Sequence, residues 1–356
     1  MEKTLFAAAL ASVALAGCVK NEAEIVQNAD SKITFAAPLV SSITRVYNGE
    51  ITNPYPEDEK FVVFANLYLD SDYNNNWEDG TTYFGEDGLT VAYDNTVKGW
   101  LDVNHPYYWP KNGKLTFYAY SPAEYTNWKL NIVKEGDTEY ANTESAVNID
   151  AHNVDLLYSE LAKDKTKNDN QGGNNGTATY NGVELKFKHA LSSIKFNVKT
   201  DATYTNATFK LNGIVLKNVK PEGTFKCNLT TESSVPAWKL TETAAKDYTV
   251  IASASQDVTA DAAEVSGIKG DKAMILLPQN LTGVKAEVSY TMTTDAGASF
   301  PFTTKIDLDK LSYTGQDGAK WIAGKRYIYT IIFTLDQIYF DPSVKDWDNV
   351  NVTVTE

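Results

Sequence analysis

The chain has 356 residues, 43% of them hydrophobic, and a formal net charge of −14. That length allows two domains of ordinary size, and that apolar content argues against global disorder. Acidic residues outnumber basic ones 46 to 32, and the arginines are Arg45 and Arg326 alone. This balance argues against a nucleic-acid partner and against charge-driven binding to anionic lipid, both of which call for a basic face.

The first feature along the chain is an apolar run at residues 4–17, behind Lys3. A membrane span needs ~20 such residues, so the run is too short to cross. Its position and its Ala, Leu and Val content are those of a secretory signal. It ends in Leu15-Ala16-Gly17-Cys18, which resembles the lipobox of bacterial lipoproteins. The resemblance implies a signal peptide of residues 1–17, cut before Cys18, with acyl chains on the new N-terminal cysteine. Two or more chains anchor a protein stably where one does not. The alternative is an ordinary signal peptide with an unrelated cysteine. If Cys18 carries lipid, Cys227 is alone in the mature protein and no internal disulfide is possible. The fold must then stand on its core.

After the signal, Ile33, Phe35 and Ala37 alternate within "SKITFAAPLV", and Arg45 and Val46 follow in "SITRVYNGE". "FVVFANLYL" from Phe61 is almost continuously apolar and predicts a strand covered on both faces. Asp70-x-Asp72-x-Asn74 has Asn75 and Thr81 where a calcium loop needs Gly and Glu, so it reads as a solvated loop. Leu115, Phe117 and Ala119 alternate next. The polar, Gly/Asn-rich run at 163–179 predicts a linker between two domains, with a long internal loop as the alternative. Beyond it, Val183, Leu185 and Phe187 alternate with Glu184, Lys186 and Lys188. Ile194, Phe196 and Val198 do so with lysines and Asn197. Tyr327, Tyr329, Ile331, Phe333 and Leu335 share a face. Turn signals fall at Asp87-Gly88, Asn112-Gly113, Asn181-Gly182, Asn212-Gly213 and Pro221-Glu222-Gly223. Short strands, frequent turns and no long amphipathic helix predict an all-β chain of sandwiches.

Candidate chemistry is sparse. His105, His152 and His189 stand far apart, and His189 reads as a buried structural residue. No Cys/His metal spacing, phosphate-binding loop or nucleophile elbow occurs, and no carboxylate pair is singled out. The expectation is neither an enzyme nor a holder of metal or cofactor. Trp77, Trp100, Tyr107, Tyr108, Trp109 and Trp128 suit core positions, with a sugar-stacking surface as the alternative. That alternative would make the protein a monomeric surface glycan-binding lipoprotein.

The chain closes with "DQIYFDPSVKDWDNVNVTVTE". Ile338 and Phe340 share a face before Pro342 interrupts the ladder, and Val344 follows. Val350, Val352 and Val354 then alternate with polar residues. This last strand is either tucked into its own sheet or donated to a neighbour.

The order of these motifs resembles the fimbrillin family of type V pilins, surface lipoproteins of Gram-negative gut and oral anaerobes. The matching pieces begin with the lipobox at Cys18, "ITF" with the later Thr44-Arg45, and "YYWPKNGKLTFYAYSP" (107–122). "VELKFKHALSSIKFNV" (183–198), "AMILLPQNL" (273–281), "WIAGKRYIYTI" (321–331) and "IYFDPSVKDW" (338–347) complete them. The resemblance implies two transthyretin-like β-sandwich domains in tandem, at 46–178 and 179–335. It implies a propeptide, 18–45, whose first strand (Ile33, Phe35, Leu39) is removable, and a donor tail, 336–356. The tail's donor residues would be Ile338, Phe340, Val344, Val350, Val352 and Val354. A trypsin-like protease would cut between Arg45 and Val46, and other pilin subunits, anchor and tip fimbrillins included, would be the partners. A candidate cleavage site together with a donor-like tail points to a stalk subunit. Before assembly, the first strand is expected in an edge slot of the N-terminal sandwich.

Overall fold

The computed structural model describes residues 32–40, 55–69, 80–102, 104–125, 128–149, 154–167, 182–229, 236–252, 255–265, 273–313 and 315–347. Among them the elements are strands, with a 3-10 turn at Leu308–Lys310 and no α-helix. The first half contributes β1 (Leu39–Val40), β2 (Phe61–Tyr68), β3 (Thr81–Thr82), β4 (Leu89–Asp94), β5 (Gly99–Leu101) and β6 (Lys114–Ser121). It continues with β7 (Leu130–Glu135), β8 (Thr138–Thr143), β9 (Val147–Asn148), β10 (Leu157–Ser159) and β11 (Ala162–Lys165). Next come β12 (Lys186–His189), β13 (Ser192–Thr200), β14 (Ala207–Val219), β15 (Glu222–Asn228), β16 (Ala237–Leu240), β17 (Lys246–Ile251) and β18 (Gln256–Val258). The remainder are β19 (Ala263–Glu264), β20 (Met274–Leu276), β21 (Lys285–Thr294), β22 (Ser299–Asp307), β23 (Lys325–Phe333) and β24 (Ile338–Asp346).

Among the described residues these strands form four sheets. The first runs β1-β12-β10-β6-β2-β4-β5, with β3 on β2 and β11 on β6. The second runs β16-β15-β8-β7, with β9 on β15. The third runs β19-β13-β23-β24 and the fourth β17-β14-β21-β22, with β20 on β13 and β18 on β14.

The period-two pattern explains the layering. Phe61, Val63 and Ala65 of β2, with Leu115, Phe117 and Ala119 of β6, point into one apolar cluster. The alternate residues Val62, Phe64, Tyr118 and Tyr120 point into another, against Trp128 and Phe225. The strand read as covered on both faces is so covered. In the third and fourth sheets, inward residues interleave as in a β-sandwich. The Phe333 ring lies 5.9 Å from Phe209 and 5.2 Å from Tyr290.

Strand pairing crosses the boundary expected at 178/179. β12 lies beyond it yet pairs with β10 and β1 of the first sheet. β15 pairs with β8 and β9, so the second sheet is built from both halves of the chain. The expected linker at 163–179 opens inside β11, which pairs with β6. Asn212-Gly213 is a bulge within β14, not a turn: the register shifts between Leu211 and Gly213, and the Asn212 amide donates to Thr291 Oγ1 (2.8 Å). Leu335 sits past the end of β23 and is exposed, so it does not share the strand's inward face.

Candidate functional site

Residues 32–40 sit between two flanks of the first sheet. On one flank the Ile33 N–H donates to the Tyr107 carbonyl (2.8 Å), and Phe35 and Trp100 exchange both backbone bonds (2.8 and 2.9 Å). On the other, the Val183 N–H donates to Thr34 (2.8 Å), and Ala36 and Leu39 donate to Val183 and Leu185 (3.0 and 2.8 Å). Leu39 and Val40 then pair in parallel with Lys186 and Phe187 of β12. The segment thus joins the β5 edge to the β12 edge and closes the sheet on itself. The expected edge slot is instead a slot with a partner on each side.

Its floor is aromatic. Phe35 is fully buried, with ring centroids 5.4 Å from Phe117 and 6.0 Å from Phe61, both edge-on. Tyr55 completes the wall, 5.8 Å from Trp100 and 6.0 Å from Phe187, its hydroxyl 2.6 Å from Ser121 Oγ. Burial pushes the Tyr55 phenol far above its ordinary value, with the Ser121 bond opposing it. Gly182 is what lets the strand approach: a Cβ there would meet the Phe35 carbonyl carbon at 2.4 Å and the Ala36 nitrogen at 2.5 Å. The Asn181-Gly182 pair reads in sequence as a turn, so this role is hidden there.

Ile33 and Phe35 occupy the inward positions expected of them, but Leu39 does not. It is 44% exposed, and Val40 is buried in its place. The alternation changes phase around Pro38, a residue without an N–H to continue the ladder.

At the other end, β24 pairs with β23 along its whole length, from Ile338 opposite Phe333 to Asp346 opposite Lys325. A turn closed by Thr334, whose hydroxyl donates to Gln337 (2.7 Å), joins the two. Ile338 and Phe340 are buried, and Val344 packs partly on the core. The tail residues 338–346 are therefore tucked into their own sheet, at its edge. Cys18, Arg45, Val46, Val350, Val352 and Val354 lie outside the described residues, as do His152, Trp77 and the 70–75 loop.

His189 is structural: its Nδ1 lies 2.8 Å from Asp155 Oδ2, and both side chains are buried. Trp100, Trp109 and Trp128 are core residues, at most 2% exposed, and Tyr107 packs partly against the first cluster. None of the three tryptophans offers a sugar platform. An open cleft of 510 Å³ between β2–β3 and β7–β8 is lined by Phe64, Asn66, Glu86, Asp87, Asn131 and Glu144, among others. Lys129 spans Asp87 (3.2 Å) and Glu144 (3.8 Å) beside it. Among the described residues, no group of three or more His, Cys, Asp or Glu is placed to hold a metal. No helix among them is long and apolar enough to cross a membrane.

A sheet completed by residues 32–40, with a sandwich whose last described strand, β24, lies at its edge, defines an all-β protein. Residues 44–347 match the family model described as Fimbrillin-like, and the chain belongs to that family. A fimbrial protein from Bacteroides vulgatus shares the fold, with a TM-score of 0.56 at 16% identity over 89% of this chain and 99% of that one. Proposed cell adhesion proteins from Bacteroides uniformis and Bacteroides ovatus align at TM-scores of 0.47 and 0.46, each at 16% identity. They cover 89% and 90% of this chain and 98% and 99% of their own. No curated protein sequence matches the chain. Family membership supports a fimbrial role.

Proposed function

We propose that this chain is a structural fimbrial subunit of the stalk, assembled by protease-triggered strand exchange into surface fibres for adhesion. The observation that supports it is the slot. Residues 32–40 are hydrogen-bonded on both flanks, so their removal leaves two open edges above an apolar floor. Losing each large buried side chain, such as Ile33, Phe35 or Val40, forfeits roughly 1.5–3 kcal/mol. An incoming extended segment restores the ladder and the burial together, with alternate pockets fixing its register. A head-to-tail contact of this kind does not close, so it grows a filament.

On this reading the precursor is cut before Cys18, is held at the outer membrane by lipid, and is cut again between Arg45 and Val46 by a trypsin-like protease. The second cut discards the lipid anchor and the first strand together. The next subunit's C-terminal region, from Ile338 through Val354, fills the slot. Since residues 338–346 begin in their own sheet, donation requires β24 to leave β23.

Trypsin treatment of the precursor is expected to yield a fragment beginning at Val46, and filaments by electron microscopy. The Arg45→Ala protein is expected to stay monomeric. Normal assembly by that variant rules out cleavage at Arg45 as the trigger. A chain ending at Trp347 lacks Val350, Val352 and Val354 and is expected to accept a donor without serving as one.

A further inference from the structure

The last described residue of the chain, Trp347, is 1% exposed, although the second half of the strand before it is not buried. From Asp341 to Asp346 the side chains of β24 are exposed or half-buried, and among the described residues the strand has one ladder partner. Trp347 is therefore the one fully buried side chain at that end of the strand, beside Val344, which packs partly on the core. Its ring lies flat on His189, centroids 3.9 Å apart and planes 2° from parallel. The Asp155 carboxylate holds His189 from behind at 2.8 Å, and the Arg326 guanidinium lies 6.0 Å from the Trp347 ring. The Trp347 N–H donates to Gly324, whose own N–H donates to Leu191 (2.9 Å each).

His189 is the last residue of β12, and β12 is the flank of the first-strand slot. Two residues before His189, Phe187 pairs with Val40 of the first strand. The connection beyond is tightly held: Ala190 donates to Leu156 (2.7 Å) and accepts from Trp238 Nε1 (2.7 Å), and Ser192 Oγ donates to Ile322 (2.8 Å). The strand that is lost and the strand that is given away thus meet on one short element.

We propose that the Trp347–His189 stack is a latch that holds the C-terminal strand in its own sheet while the first strand occupies its slot. This rests on the reading of β24 as part of the donor. When the slot empties, β12 loses one of its two neighbours. Lys186 and Phe187 lose their first-strand partners, β12 is then held through β10 and the Asp155–His189 pair, and the strand carrying Trp347 is released more easily. The contact is autoinhibitory: it keeps an unprocessed subunit from offering its tail.

Hydrogen exchange on the full-length, unprocessed protein tests this without any assembly. Trp347→Ala is expected to speed exchange of the 338–346 amides by about tenfold or more, a factor equivalent to ~1.4 kcal/mol. The β2 and β6 amides should be unaffected. Trp347→Leu, which keeps an apolar side chain but no flat ring, is expected to act in the same direction and covers the case in which the alanine variant does not fold. Gly182→Ala, which unseats the first strand, is expected to speed the same amides, and to add nothing in the Trp347→Leu background. Unchanged exchange at 338–346 in Trp347→Leu overturns the latch, and unchanged exchange there in Gly182→Ala overturns its link to the slot. If the latch variants open β24 but trypsin-treated protein forms no filaments, the latch stands and strand exchange falls. If filaments form while β24 stays unresponsive in those variants, strand exchange stands and the latch falls.

Discussion

At the scale of single residues, the slot separates side chains that the sequence makes look alike. Phe35 is fully buried among Phe61 and Phe117, so Phe35→Ala is expected to cost about 3–5 kcal/mol in urea unfolding of the precursor. Leu39, 44% exposed, is expected to tolerate alanine within about 0.5 kcal/mol. Equal losses at the two positions would contradict the phase change at Pro38. Ile33 and Phe35 are legible in the sequence because alternation reports the inward face directly. Leu39 is not, since a proline moves the alternation by one and nothing in composition marks where it resumes. Gly182 is illegible for a different reason: Asn-Gly signals a turn by its local backbone preference, while its use here is set by a strand far away in sequence. The Asp155–His189 pair likewise depends on β10 and β12, which only pairing brings together.

At the scale of elements, β23 shows how a strand can be legible while its supports are not. Its alternation of Tyr327, Tyr329, Ile331 and Phe333 is plain, but the phenols need partners once buried. Trp321 Nε1 donates to the Tyr329 hydroxyl (2.9 Å), which lies 3.0 Å from that of Tyr313. Tyr329→Phe leaves the indole N–H without its acceptor, and is expected to cost about 1–3 kcal/mol in thermal or urea melts. The same burial has a pH consequence. Burial pushes Tyr313, in spite of its bond to Tyr329, up to about 12, and Tyr83 and Tyr120 rise to about 12 for the same reason. Each phenol ionises in the unfolded chain near ~10. Between the two values the folded state holds more protons, so stability is complete below pH ~10 and falls as pH rises towards about 12. Unfolding free energy measured at about pH 9, 10.5 and 11.5 is expected to decline in that order. A flat profile would mean that the phenols reach water in the folded state.

At the scale of the whole molecule, the two halves are interleaved and not merely linked. The second sheet places β15 and β16, from beyond residue 220, beside β8, β9 and β7. Phe225 reaches 5.0 Å from Trp128 and 5.4 Å from Tyr158, so the apolar cluster under the first sheet continues without a break to Tyr329 and Phe340. The polar run at 163–179 is visible in the sequence because it is a matter of composition, but return crossings leave no such mark. The physical consequence is cooperativity. Cutting between 178 and 179 separates β12 from β10 and exposes the facing edges of β8 and β15. It also opens the shared cluster on both pieces. Residues 32–178 and 179–356 made separately are therefore each expected to lack a sharp unfolding transition, and to recover one when refolded together. The intact chain should unfold in a single calorimetric transition. Two resolved transitions, or two halves that each melt cooperatively alone, would mean that the shared sheet contributes little to either unit. The proposed strand exchange would make its own demand on this arrangement. A subunit without its first strand would have to stay folded around an empty slot until a donor arrived, and a continuous core fastened across both halves would supply that reserve.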